Sequence, residues 1–297
     1  MRCMKRLFVV VIIGCFGLVP LAAQAKKPQN KRYRYVQNAK CKLGVDMESG
    51  GSVFYFSRIE PERNLINHAD RGRFIQQSYY GDPDGSKWMG KPWRWNPVQG
   101  GDWRGKPAKV LESRISHSSL HIETRPRNWA GGQEIRNAIM IMDARLIGDL
   151  AYLHYKFVYR GKHRHKPRHQ ELPAVFVDKA LPNLVYYKGR KPWTGGKVSK
   201  DVPGWPNESR RPTECWAAYV DNKGWGIGVY TPHMKRITCY RAPGKAGPTG
   251  MGCSYFAPVK TLAITPGFVY EYTVVLTIGR VEDIRKRFYA LQRKRRR

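Results

Sequence analysis

Acidic residues are scarce in this chain: 22 Asp and Glu stand against 54 Lys and Arg in 297 residues, a formal net charge of +32. A field of that sign attracts polyanions and raises their encounter rate. Acidic or sulfated polysaccharide, nucleic acid and an anionic cell surface are the candidate partners. The alternative is a charge that serves solubility, because the basic residues are spread along the chain and only Arg285 to Arg297 forms a basic run.

Long apolar runs are also lacking, with one exception at the start. Arg2, Lys5 and Arg6 precede the apolar run from Leu7 to Ala22, and Ala23-Gln24-Ala25 follows it. This order predicts a secretory signal over residues 1–25, cleaved after Ala25, and a secreted or periplasmic protein. The run is too short for stable membrane insertion. A lipoprotein processed at Cys15, within Ile12-Ile13-Gly14-Cys15, is the less favoured alternative.

Cysteine is rare, and the signal would remove two of the six. Cys41, Cys215, Cys239 and Cys253 remain, an even number that permits up to two disulfides in an exported chain. We predict a disulfide between Cys239 and Cys253, which bracket a Gly- and Pro-rich segment. No C-x-x-C occurs, which argues against a structural zinc site.

Familiar catalytic signatures are missing as well. The chain contains no G-x-S-x-G, no P-loop and no H-E-x-x-H, and the Gly-x-Gly at Gly226 to Gly228 lacks a dinucleotide-binding context. We therefore expect no cofactor and no metal.

What the chain does contain is a series of short β-type runs separated by Gly, Pro, Asn and Asp. About a dozen such runs and one convincing helix, from Val281 to Arg293, predict an all-β fold, a large antiparallel β-sandwich with one C-terminal helix. No internal repeat or inner linker is visible. The predicted organisation is a signal over 1–25, a flexible lead over 26–33, one β-sandwich domain over 34–280, and a helix with a basic tail over 281–297.

Polar and aromatic groups crowd the span from Asn64 to Tyr80. His68 is a candidate acid or base, Asp70 a candidate carboxylate, and Tyr80 a candidate proton-transfer group, with Arg73 and Gln77 as substrate-binding residues. A structural Asp70–Arg73 ion pair, with the tyrosines in the core, explains the same residues equally well.

Four tryptophans occur between Trp88 and Trp103, interleaved with Gly and Pro. Exposed indoles stack on the apolar faces of sugar rings, and neighbouring amides and carboxylates bind hydroxyl groups. The substrate-binding candidates in this stretch are Trp95, Asn96, Gln99, Asp102 and Trp103. The same aromatic and polar side chains could stack bases in a groove that binds single-stranded nucleic acid. The structural alternative is that the indoles are buried and hold a loop in place.

The segment from His163 to Pro173 holds three histidines and Glu171. Four cationic neighbours oppose a metal ion there. His169 and Glu171 would share a face of a strand, which predicts a catalytic pair, with Glu171 as general acid or base if burial raises its pKa. Downstream, Trp216 enters a predicted hairpin whose turn is Asp221 to Gly224, and we place it among the substrate-binding candidates.

Two sequence features resemble known proteins. Gly50-Gly51 with the strand that follows, and then Arg63 to Asn67, resemble the opening of galactose-mutarotase-like proteins. Nearly the whole mature chain is similar to a group of secreted bacterial proteins of poorly defined function, through Asn67 to Tyr80, Trp95 to Asp102 and Gln170 to Ala174. The resemblance implies a β-supersandwich whose concave face binds carbohydrate. Mutarotase-type epimerases use a histidine acid and a glutamate base, but the spacing of His169 and Glu171 does not match their pattern.

These observations predict a secreted carbohydrate-active protein, a glycan-degrading enzyme that acts on an anionic polysaccharide. Asp70, Asp102, Glu171 and Glu214 are the carboxylates available to a glycoside hydrolase. A polysaccharide lyase would instead use Tyr or His with Arg, Asn or Gln. A non-catalytic glycan-binding or cell-envelope protein is the alternative, and specific binding of nucleic acid is the weakest hypothesis.

Overall fold

Alternating side chains build most of the strands in the computed structural model, which describes residues 32–70, 72–232 and 234–296. In Ser119–Arg125 every second residue is buried, as in Leu150–Tyr159. Such alternation places one set of side chains in the core and the other on the surface of a sheet. The predicted signal, the lipobox and most of the predicted lead lie outside the described residues.

Twenty-one strands, numbered in chain order, occur in the described ranges. They are β1 Tyr33–Gln37, β2 Cys41–Asp46, β3 Ser52–Arg58, β4 Ile75–Ser78, β5 Lys87–Trp88, β6 Lys91–Pro92, β7 Pro97–Val98, β8 Lys109–Ile115, β9 Ser119–Arg125, β10 Arg127–Asn128, β11 Ala138–Ile147, β12 Leu150–Tyr159, β13 His165–Asp178, β14 Asn183–Tyr186, β15 Ser199–Asp201, β16 Glu208–Arg210, β17 Trp216–Val220, β18 Trp225–Tyr230, β19 Ile237–Arg241, β20 Cys253–Ile264 and β21 Val269–Arg280. A 3-10 turn at Met47–Ser49 and the helix α1, Val281–Arg296, complete the elements. The first strand begins at Tyr33, the last residue of the predicted lead.

The strands form two large antiparallel sheets. The ten-stranded sheet runs β1-β2-β3-β4-β13-β20-β19-β16, with β7 paired to β4 and β10 paired to β7; the nine-stranded sheet runs β15-β14-β17-β18-β21-β12-β11-β9-β8. A continuous apolar core with contributions from both sheets fills the space between them. The predicted all-β sandwich with one C-terminal helix is confirmed. No helix in the described ranges is long and apolar enough to cross a membrane.

Helix α1 covers the outer face of the nine-stranded sheet. Ile284 and Phe288 are buried against Trp216 and Tyr230. Close approach is possible because Gly228 lies beneath the helix: a Cβ there would be 2.3 Å from Cγ2 of Ile284. Acidic residues occupy the first turn of the helix, which suits the helix dipole.

The predicted Cys239–Cys253 disulfide is wrong, since both thiols are free, as are those of Cys41 and Cys215. Cys239 points into the core between the sheets, whereas Cys253 belongs to a small cluster on the outer face of the ten-stranded sheet. Two cysteines on opposite faces of one sheet cannot meet the short Cβ separation that a disulfide requires.

Candidate functional site

The polar floor of a cleft comes from alternation in β4 and the residues after it. Ile75 and Tyr79 point into the core, so Gln76, Ser78 and Tyr80 lie on the outer face of the ten-stranded sheet. Gln77 points inward with the core residues, where its Nε2 donates to the Ile141 carbonyl at 3.0 Å.

Strand β13 places Glu171 beside that floor. Glu171 pairs with Ser78 on β4 and with Val259 on β20, and the register then shifts before Ala174. The extra residue is a β-bulge, which reverses the alternation. Consequently Glu171 and Ala174, three positions apart, both face the cleft, while Val175 returns to the core.

Aromatic side chains from strands and loops surround this floor. The resulting inner cavity has a volume of about 190 Å³. Besides Tyr80, its aromatic lining consists of Trp88, Trp93, Trp129, Phe176, Trp205, Tyr240 and Tyr255. Trp88 and Trp93 meet edge to face at 5.2 Å, and Trp205 contacts Tyr240 in the same way at 4.9 Å. Of these residues, the sequence signalled Trp88 and Trp93 through their tryptophan-rich stretch.

Glu171 is the single carboxylate among the described residues that line the inner cavity. Burial raises the pKa of Glu171, and the hydroxyls of Tyr255, Tyr80 and Ser78 partly oppose that rise. The Tyr255 hydroxyl is buried and makes no hydrogen bond of standard geometry within the described ranges. Burial, followed by the nearby Glu171 charge, raises the pKa of both Tyr80 and Tyr255 well above 10, so both phenols remain protonated near neutral pH.

Two further predicted residues line the inner cavity. Arg73 forms an ion pair with Asp70, Nε to Oδ1 at 2.6 Å, and its guanidinium lies 5.9 Å from the Phe176 ring. The Asn96 amide donates to the Tyr79 carbonyl at 2.6 Å and accepts from the Trp93 indole at 3.3 Å. Arg73 therefore both forms the structural ion pair with Asp70 and lines the cleft.

A wider outer cavity, about 570 Å³, adjoins the inner one and shares Tyr80, Trp93, Glu171 and Asn207 with it. His169 lies on its rim. Its Nδ1 is 2.8 Å from the Thr261 hydroxyl, and its Nε2 is 3.3 Å from the Arg236 guanidinium. Because a guanidinium can only donate, Nε2 accepts and Nδ1 carries the proton. His169 is thus oriented by its neighbours, with its proton directed at Thr261.

Other predicted site residues lie outside both cavities. His68 contacts Asp178, Nε2 to Oδ2 at 2.6 Å. Gln99 is buried and ties β4 to the turn at Gly50, to whose carbonyl it donates at 3.2 Å. Asp102 accepts from the backbone amides of Arg104 and Lys106, both at 2.9 Å, and so fixes a turn.

The other tryptophans predicted to bind substrate also lie outside both cavities and pack within the protein. Trp95 stacks on His165 at 4.2 Å and packs against the core. The indole nitrogen of Trp103 is buried without a hydrogen-bond partner among the described residues. Trp216 is fully buried and donates to Glu214 at 2.7 Å, beneath helix α1.

Among the residues that the structure describes, two groups of side chains have donor atoms close enough to hold a metal ion. Asp82, His163 and His165 form one, and Glu112, His121 and Glu123 form the other; in each, the atoms lie within 4.8 Å of one another. Arg168 contacts the Asp82 carboxylate at 3.4 Å and already supplies a positive charge there. A depression of about 520 Å³ on the nine-stranded sheet is lined by none of the predicted site residues.

Comparison with known proteins adds evidence on the fold. No family model and no curated protein sequence matches the chain. Among solved structures, a galactose mutarotase related enzyme from Lactobacillus acidophilus aligns with a TM-score of 0.55 at 8% identity, over 83% of this chain and 97% of its own. A candidate aldose 1-epimerase from Escherichia coli K12 gives 0.54 at 13% identity, over 84% and 99%. A galactose mutarotase-like protein from Lactobacillus casei gives 0.52 at 12%, over 83% and 99%. This chain therefore has the galactose mutarotase-like fold.

Proposed function

We propose that the protein is a secreted glycan-degrading enzyme whose proton-transfer group is Glu171. The observation that carries the proposal is the position of this carboxylate, alone at the floor of an aromatic-walled cavity and bordered by three hydroxyls. A general acid or base works best when its pKa lies near the working pH, and burial moves the pKa of Glu171 in that direction.

The cavity walls suit a sugar ring. Ligand sites are mostly apolar and carry a few polar groups that fix orientation. Here Trp88, Trp93 and Trp205 supply flat apolar faces, while Asn96 and Arg73 supply polar contacts. The carbohydrate-related fold of the structural neighbours is compatible with this use of the cavity.

Cleavage by β-elimination fits the carboxylates better than hydrolysis does. Glycoside hydrolases generally place two carboxylates across the scissile bond. Glu208, the other carboxylate lining the outer cavity, is held by Arg210 at 2.5 Å and by the Gly204 amide at 2.7 Å. It is therefore occupied by structural contacts, which leaves Glu171 as the available carboxylate.

In the proposed step Glu171 removes a proton from the carbon next to a uronate carboxyl group. The electron pair of the broken C–H bond forms a C=C bond, and the C–O bond to the neighbouring sugar breaks. The Tyr80 hydroxyl, protonated because its pKa is raised, gives its proton to the departing oxygen. The products are an unsaturated sugar end and a new hydroxyl end, and water restores both side chains.

An anionic polysaccharide outside the cytoplasm is the proposed substrate. The high positive charge of the chain supports an anionic polymer, and the N-terminal pattern supports export. Mass spectrometry of the exported protein should give Lys26 as the first residue; Cys15 carrying a lipid would replace this proposal with the lipoprotein alternative.

The proposal is tested by incubating the mature protein with uronate-containing, sulfated and neutral polysaccharides. We expect ultraviolet-absorbing unsaturated products from a uronate polymer, and loss of turnover in Glu171→Gln but not in Glu282→Gln, an exposed glutamate on helix α1. New reducing ends without ultraviolet absorbance would indicate hydrolysis instead. Salt-resistant binding without turnover on any polymer would reject catalysis in favour of the glycan-binding alternative.

A further inference from the structure

We propose that the outer cavity is an anion subsite, which binds a sulfate or carboxylate group on the sugar next to the one held over Glu171. The inference rests on the proposed function, because it assigns the two cavities to neighbouring sugars of one chain. It adds that the two cavities recognise different features of the ligand: the inner cavity contacts the face of a sugar ring, and the outer cavity binds a charged group.

Three guanidinium groups line the outer cavity, those of Arg94, Arg168 and Arg236. Facing them are two carboxylates, Glu171 and Glu208. Glu208 is already paired with Arg210, which together with the Gly204 amide holds its pKa below the usual range. The outer cavity thus keeps an excess of positive charge beside the proposed catalytic carboxylate.

The cations are held in place without being neutralised. Arg236 donates to the Ser209 hydroxyl at 2.9 Å and contacts His169 at 3.3 Å, and neither partner is a carboxylate. Arg94 lies 5.9 Å from the ring of Trp93. Within the described ranges neither Arg94 nor Arg236 has a carboxylate partner within 4.0 Å. Oriented guanidiniums recognise planar or tetrahedral oxyanions by paired hydrogen bonds.

Arg168 is partly neutralised and completes the set. Its Nη2 lies 3.4 Å from Asp82, while its buried Nε has no hydrogen-bond partner among the described residues. The Arg168 side chain is 34% exposed, so an oxyanion in the outer cavity would meet the exposed part of its guanidinium and not the buried Nε.

The sizes of the two cavities support an oligosaccharide that spans both. The inner cavity, about 190 Å³, is smaller than the roughly 300–1,000 Å³ typical of complete ligand sites. With the outer cavity, about 570 Å³, the combined cleft falls within that range. Tyr80, Trp93, Glu171 and Asn207 line both, so one chain can pass over Glu171 from the aromatic side to the cationic side.

The test is calorimetric binding of matched oligosaccharides, so it does not depend on turnover. A Glu171→Gln background keeps the ligand intact. The ligands are a sulfated, an unsulfated uronate and a neutral oligosaccharide of one length. The test variant adds Arg94→Gln and Arg236→Gln; the charge-matched control instead adds Arg160→Gln and Arg190→Gln, both exposed and outside the two cavities.

We expect the test variant to bind the charged oligosaccharides at least tenfold more weakly, with less than a twofold change for the neutral one and for the control variant. Loss confined to the sulfated ligand would assign sulfate, and loss confined to the uronate would assign carboxylate. An equal loss in the control variant would overturn the subsite, because net charge would explain it. Equally tight binding of a single-stranded oligonucleotide, weakened by the same two substitutions, would also overturn it.

If the anion subsite exists but the protein is not an enzyme, substitution of Arg94 and Arg236 will weaken binding of the charged oligosaccharides, and neither the unmodified protein nor Glu171→Gln will cleave any polymer. If the protein cleaves a uronate polymer but the subsite is wrong, the protein with an intact Glu171 will form the unsaturated product, and the double arginine variant will bind the charged oligosaccharides with unchanged affinity. The two failures are therefore distinguishable.

Discussion

At the scale of single residues, the proposed chemistry of the cleft depends on one buried carboxylate. Glu171 opens onto both cavities, and burial raises its pKa while Tyr255, Tyr80 and Ser78 limit the rise. A carboxylate in such a place costs stability when it is ionised. Proteins accept that kind of cost at functional sites.

We therefore predict that Glu171→Gln raises the melting temperature at pH 7. Because the folded-state pKa of Glu171 is raised, its stabilising effect is complete below the unfolded value, about 4.3, and is lost as the pH rises through the folded value. The substitution removes the ionised form that burial disfavours. The gain should vanish below about pH 4. Thermal unfolding across pH 3 to 8 is the measurement, and a melting temperature that falls at pH 7 would contradict the prediction.

Tyr255→Phe should move the pH dependence of turnover. The Tyr255 hydroxyl lowers the pKa of Glu171, so its loss raises that pKa further and shifts the acid limb of the activity profile to higher pH. Tyr272→Phe is the matched control, since it also removes a buried tyrosine hydroxyl but lies away from both cavities. Identical pH profiles for the two variants would show that Tyr255 does not act on Glu171.

Several predicted residues could have been sorted from the sequence by strand alternation alone. The prediction places Gln77 as a substrate-binding residue and Tyr80 as a proton-transfer group in one cleft, yet residues three apart in a regular strand face opposite sides. The same rule groups Gln76, Ser78 and Tyr80. Tyr240 and Tyr255 carry no local signal, because they reach the cavity only through the pairing of β19 with β20.

At the scale of elements, periodic strands were predictable and irregular ones were not. Leu150–Tyr159 alternates along its whole length, and the predicted hairpin is present as β17 and β18. β13 is hard to predict over its full length, because its bulge breaks the alternation and its first half is strongly polar. The irregularity lies at Glu171, the residue on which the proposed site depends.

Helix α1 yields the prediction at this scale: Gly228→Ala should lower the free energy of unfolding by about 1–3 kcal/mol, the usual cost of overpacking. The new Cβ would lie 2.3 Å from Ile284 and 3.0 Å from Phe288, so the helix must move outward. Urea unfolding of this variant, beside the exposed Lys286→Ala control, measures the effect. An unchanged midpoint would show that the helix is not tightly docked. Carbohydrate affinity should persist, because the cleft lies on the other sheet.

At the scale of the whole molecule, the proposed function assigns the positive charge and the cleft to different stages of binding. Removing the predicted signal takes away three basic residues and leaves a net charge near +29. Charge spread over a surface steers an anionic chain toward the protein, and salt screens it over about 8–10 Å at ionic strengths of 0.1–0.15 M. Contacts inside the cavities are shielded from that screening.

Salt should therefore change association much more than dissociation. Raising the ionic strength from about 0.05 to 0.5 M should slow association of an anionic oligosaccharide by roughly tenfold or more, while its dissociation rate changes by less than about threefold. A neutral oligosaccharide of equal length should show neither effect. Stopped-flow or surface-based kinetics on the Glu171→Gln variant supplies both rates. If dissociation accelerates as steeply as association slows, the anion is held by diffuse surface charge, and the oriented arginines of the outer cavity do not bind it.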